Sequence, residues 1–105
     1  MHPIADKAEV TIEFPDKFYM GSFGHDCGFE AHAEKDGVVL RLVRSDSERR
    51  VVEIHLHHFL FAGILADLAA SLAAQQPIDA AHRQPLLESA RQLTAALEGG
   101  AAPSG

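Results

Sequence analysis

Phe29-Glu30-Ala31-His32-Ala33-Glu34, then Val38-Val39-Leu40-Arg41-Leu42-Val43-Arg44, then Arg50-Val51-Val52-Glu53-Ile54-His55-Leu56-His57 is the stretch that decides the fold. Apolar and polar residues alternate through it with period two, the pattern of half-buried strands. Asp36-Gly37 suits a two-residue hairpin turn, because both residue types tolerate positive φ. Closing the chain there sets Ala33 against Leu40 and Ala31 against Leu42, with His32 against Arg41 on the opposite face. The next loop, with Asp46-Ser47-Glu48 at its tip, makes Leu42 oppose Val52 and Leu40 oppose Ile54. A one-residue slip would set Glu53 against Leu40 on the core side. Both turns agree on one apolar face, and the spacing predicts a three-strand meander over Phe29–His57. Leu40, Leu42, Val52 and Ile54 are expected to be buried, with Arg41 and Glu53 exposed.

Upstream, Val10, Ile12 and Phe14 alternate with Thr11 and Glu13 before Pro15-Asp16-Lys17, and Phe18–Phe23 follows as a second apolar stretch. A loop of those three residues sets Phe14 against Phe18 and Ile12 against Met20. Gly24-His25-Asp26-Cys27-Gly28 is a glycine-bracketed break. Downstream of His57 the period becomes helical: Phe61, Ile64, Leu65, Leu68 and Leu72 recur among alanines until Pro77. Ile78–Gln84 reads as a linker, with Asp79 able to cap a turn of helix. Pro85 suits the first position of a second helix, whose stripe of Leu86, Ala90, Leu93 and Leu97 ends at Gly99-Gly100.

The expected fold class is therefore α+β: an antiparallel β-meander of about four to five strands followed by two C-terminal helices packed on one sheet face. Residues 1–100 are expected to form a single domain and 101–105 a disordered tail. A chain of 105 residues holds one hydrophobic core, burying roughly 60–70% of its unfolded surface.

Composition bounds the partners. The formal charge is −6 with neutral histidines, and there is no tryptophan and one tyrosine. Phosphate backbones and anionic membranes repel such a chain, and few aromatic rings offer stacking platforms, so neither nucleic acid nor membrane is an expected partner. Protonating all seven histidines would carry the charge from −6 to +1, which makes association pH-sensitive. One cysteine forms no intrachain disulfide, and the first ten residues carry no apolar secretory core, so a cytoplasmic setting is expected. The mostly apolar run Phe59–Ala74 contains Asp67 and is short for a bilayer span.

The conspicuous side chains are His55, His57 and His58 at the strand-to-helix junction. Alternation places Glu53, His55 and His57 on one face, and a His-x-His pair beside a carboxylate is ligand chemistry that zinc or another divalent transition metal accepts. His32, His25, Cys27, Glu30 and Glu34 are further candidate ligands. Arg41 counters this reading, since a guanidinium repels a dication and competes for the carboxylate. A row His32–Arg41–Glu53 beside Glu34, Val39 and His55 explains the same residues as a charged sheet face. A nucleophilic role for Cys27 beside His25 has little support: neighbours on an extended strand point apart, and Asp26 disfavours the thiolate. Phe59, Leu60, Phe61, Ile64, Leu65, Leu68 and Leu72 wrap more than one stripe of the first helix, which suggests a two-fold homodimer. The leading expectation is an accessory or interaction protein working as a homodimer without cofactor; the alternative is a metal-dependent protein using His55 and His57.

Overall fold

The computed structural model describes residues 1–45 and 49–101. The expected loop tip Asp46-Ser47-Glu48 and nearly all of the expected disordered tail lie outside these residues. The fold is α+β and antiparallel, with strands β1 (His2–Pro3), β2 (Ala8–Glu13), β3 (Phe18–Phe23), β4 (Cys27–Ala33), β5 (Gly37–Arg44) and β6 (Arg50–His57). Helices α1 (His58–Ala74) and α2 (Ala80–Ala101) follow. The chain divides into two compact units, Met1–Ala66 and Asp67–Gly105.

In the first unit, β1, β4, β5 and β6 form one sheet in that order, and β2 and β3 form a separate hairpin. The β5–β6 register is the expected one: Leu40 faces Ile54, Arg41 faces Glu53 and Leu42 faces Val52. Between β4 and β5 the expected register is displaced by two residues. Ala31 pairs with Leu40, His32 with Val39 and Ala33 with Val38. Glu34 donates its amide to the Gly37 carbonyl at 2.8 Å, which leaves Lys35-Asp36 as the turn. Gly37 serves the ladder instead: a Cβ there would collide with the Leu56 carbonyl oxygen and lie 2.9 Å from the His57 Cα. A two-residue displacement keeps every side chain on its face.

The β2–β3 register differs from expectation by one residue, which does change faces. Phe14 donates to the Lys17 carbonyl at 2.7 Å and accepts from its amide at 3.4 Å. Pro15-Asp16 is thus a two-residue turn, with proline fixing φ at its first position. Ile12 consequently pairs with Tyr19 and Thr11 with Met20, while the Phe14 and Tyr19 rings meet edge to face at 6.2 Å. Phe18 and Met20 stand exposed opposite Glu13 and Thr11.

The buried cluster of this unit is small. Phe23, 1% exposed, packs with Ile4 and Cys27 against Ala8, Val10, Leu42 and Val52. The amide of Ile4 donates to the Cys27 carbonyl at 3.1 Å, tying the N-terminus to β4. Farther along the same sheet face, Leu40 and Ile54 are 37% and 45% exposed, so they are not buried as expected. The central strand buries Val39 and Val43 on the other face. Val39 has His32 and His55 on either side, Val43 lies between Gly28 and Val51, and Leu40 has the small Ala31 on one side.

The helix α1 begins at the residue after β6, and His58 donates from Nε2 to the Lys35 carbonyl at 3.1 Å, so the helix touches the sheet region at its first residue. None of the α1 residues is buried, and Phe59 is 96% exposed. In the second unit α2 starts at Ala80, five residues before the expected Pro85, which lies inside the helix. Asp79 outcompetes the proline signal. Its carboxylate accepts from the His82 amide at 3.3 Å, an N-cap bond, and from His82 Nδ1 at 2.7 Å. The hydrogen bond from the His82 ring, with smaller backbone and charge contributions, holds the Asp79 carboxyl below its ordinary value. The helix also runs through Gly99 and Gly100 to Ala101 instead of stopping at the glycine pair. Among the described residues, no helix is long and apolar enough to cross a membrane.

Candidate functional site

Strand alternation gathers Glu30 and His32 of β4 with Glu53, His55 and His57 of β6 on one face of the sheet. Its rows across β4, β5 and β6 are Glu30–Arg41–Glu53 and His32–Val39–His55, with His57 beside Gly37 in the next row. The row expected to read His32–Arg41–Glu53 thus has Glu30 in place of His32, because of the displaced β4–β5 turn. Arg41 therefore lies between two carboxylate-bearing positions.

His32 and His55 each have carboxylate neighbours close by in sequence. The two ring nitrogens of His32 face different carboxylates, Nδ1 at 3.7 Å from Glu30 and Nε2 at 3.4 Å from Glu34. His55 donates from Nε2 to Glu53 Oε2 at 3.2 Å. The other oxygen of Glu53 lies 3.7 Å from Arg41 Nε. That separation is too long for a hydrogen bond, and Arg41 Nε is buried with no hydrogen-bond partner among the described residues. Glu53 is therefore shared between an imidazole and a guanidinium, and half-exposed pairs of this kind contribute only about 0.2–1 kcal/mol each.

His55 and His57 come together with Glu34 and Asp36 around a cavity of about 180 Å³ beside Gly37 and Val38. His32 is not among its lining residues. The remaining candidates lie elsewhere. His25 is exposed in the turn that Cys27 closes by donating its amide to the Gly24 carbonyl at 2.9 Å. Cys27 is buried with Ile4 and Phe23, on the opposite sheet face and at the opposite end of β4 from His32. Its thiol lies 3.6 Å from Asp26 Oδ1. The structure thus brings together His55, His57 and Glu34, joins Glu53 to His55, and leaves His25 and Cys27 apart from them. Among the described residues, no group of three or more His, Cys, Asp or Glu side chains has a metal-holding arrangement.

Two further features lie in the first unit. The hairpin face of Val10, Ile12, Tyr19 and Phe23 opens, with Arg50, Val51 and Val52, on a mostly apolar cleft of about 470 Å³. Sequence patterning missed it because the one-residue shift in the hairpin register decides which side chains face β6. The second is the outer edge of β6, since among the described residues that strand pairs with β5 alone. No family model matches this chain, and no curated protein or solved structure matches it either.

Proposed function

We propose that this protein is a small interaction protein that works as a homodimer, with α1 as its principal adhesive surface. One observation carries the reading: a seventeen-residue helix rich in Phe, Leu and Ile has no buried residue. Phe59, Leu60, Leu68 and Leu72 are each at least half exposed. Large apolar side chains gathered on one exposed element are the usual mark of an association surface, and closed two-fold dimers are its commonest outcome.

Sedimentation at micromolar concentration is expected to give twice the 11.3 kDa chain mass. Phe59→Ser with Leu68→Ser removes two exposed anchors without touching the buried cluster, and is expected to weaken self-association at least about tenfold. A monomer at all concentrations would refute the reading.

A second reading, metal binding at His55 and His57, is supported by the cavity those residues share with Glu34. A zinc titration, described in the Discussion, separates it from the first.

A further inference from the structure

We infer that, beside the α1 surface, the dimer is also joined along β6, two copies of which pair antiparallel about a two-fold axis through Ile54 and merge their sheets. This rests on the homodimer reading and adds where the copies meet and in what register.

The backbone direction of β6 follows from the turn. In an antiparallel ladder each residue aims its N–H and C=O to one side, and successive residues alternate. Gly37 accepts the Glu34 amide at its carbonyl, so Gly37 aims its carbonyl at β4 and Val38 aims its groups at β6. Leu56, Ile54 and Val52 therefore bond to β5, and Val51, Glu53, His55 and His57 aim their amides and carbonyls away from it. Such an edge is a template for another strand, and it carries neither lysine nor proline to blunt it.

A second β6 fits this edge in few registers. Bonding requires outward residues to meet outward residues, which removes every register that pairs an odd position with an even one. Centring on Glu53 sets two carboxylates face to face. Centring on His55 sets two imidazoles together and shortens the overlap. Centring on Ile54 pairs Glu53 with the partner's His55 and His55 with the partner's Glu53, opposite in charge once the imidazole is protonated. The same register puts Val52 against the partner's Leu56 and Ile54 against the partner's Ile54, so the apolar face continues across the seam. All the outward groups from Val51 to His57 then find partners.

The register also has a consequence for α1. His57 of one copy falls opposite Val51 of the other, so the first turn of each α1 arrives at the start of the other β6. There the mostly apolar cleft lined by Val10, Ile12, Tyr19, Phe23, Arg50 and Val52 opens. Phe59, 96% exposed within its own chain, thereby lies at the same end of the seam as that cleft.

Cysteine cross-linking reads the register in the full chain, with buried Cys27 left in place and wild type as the control. At the axis Ile54 forms a non-bonded pair, whose Cα separation of about 4.5 Å lies within disulfide range. Ile54 is 45% exposed, so Ile54→Cys spares the buried cluster. Ile54→Cys is expected to form a covalent dimer on mild oxidation. Val52→Cys and Leu56→Cys are each expected to stay uncross-linked alone, and to join when the two variants are mixed. A dimer by sedimentation in which Ile54→Cys fails to cross-link, or in which Leu56→Cys cross-links alone, overturns the seam and leaves the homodimer reading standing. A monomeric wild type overturns both.

Discussion

The two faces of the β4–β5–β6 sheet have opposite chemistry, and neither is buried or exposed throughout. One face is apolar through Ala31, Leu40 and Ile54, yet Leu40 and Ile54 are more than a third exposed. The other carries Arg41, Glu53, His32 and His55, yet it buries Val39 and Val43 to 2% and 4% exposure. Arg41 lies two residues from both Val39 and Val43 along β5, and a long polar side chain can shield neighbouring valines with its stem while its head stays in water. A leucine beside an alanine has no such cover. Apolar patterning thus reports which side chains share a face; burial depends on what covers that face.

The largest expected effect tests the one place where the apolar side is closed. Phe23→Ala empties the centre of the Ile4–Phe23–Cys27 cluster and is expected to cost about 3–5 kcal/mol. Leu40→Ala truncates a side chain that is already 37% exposed and leaves an open surface in place of a cavity, so about 1–2 kcal/mol is expected. Urea denaturation below the concentration of self-association ranks the two. Equal costs would mean that the apolar face is covered throughout, and the contrast between the faces would fail.

That contrast marks how far the sequence could be read. The β5–β6 register was legible because apolar pairs, Leu40 with Ile54 and Leu42 with Val52, select it against a slip. Between β4 and β5, two registers two residues apart preserve the same faces, and Asp36-Gly37 looked like the turn. Gly37 is needed instead because Leu56 and His57 crowd it, a tertiary reason invisible in the local pattern. At Pro15-Asp16-Lys17 the choice between two and three loop residues decided the faces of the hairpin, and composition did not settle it. The same limit applies to the histidines. Period two placed His32, His55 and His57 on one face, but it said nothing of side-chain rotamers or of which carboxylate each ring would meet. Cys27 and His25 sit nearby in sequence, yet the buried cluster draws Cys27 to the other face.

A smaller effect is expected on the polar face. Arg41 is 30% exposed and Glu53 47% at their side chains, with the charged atoms 3.7 Å apart. Arg41→Ala is expected to cost well under 1 kcal/mol from the lost ion pair, plus whatever its stem contributes over Val39 and Val43. Arg41→Met retains the stem and separates the two contributions. If Met is no better than Ala in urea denaturation, the stems do not shield the valines and the explanation of the two faces is wrong.

The smallest expected shift is the most informative about function, because it asks whether the polar face does more than stay wet. A metal that binds only the folded chain stabilises it by mass action, about 2.7 kcal/mol at a free concentration 100 times its dissociation constant. His55 already donates to Glu53, and Glu53 lies beside Arg41, so zinc would have to break the first contact and work against the guanidinium. His57 and Glu34 complete no closed tetrahedral set with His55 in the present arrangement. Thermal unfolding of tag-free protein is therefore expected to move little with added zinc, and equally little in His55→Ala and His57→Ala. Ligation requires neutral imidazole, so a genuine site would also lose its effect as the pH falls below about 6. A large shift with that pH dependence, abolished by either substitution, would establish the metal reading. It would also place the chemistry on the face where His55 is proposed to meet Glu53 of a second chain. Zinc would then be expected to compete with the Glu53–His55 pairing of the seam, and Ile54→Cys cross-linking with and without zinc would show whether it does.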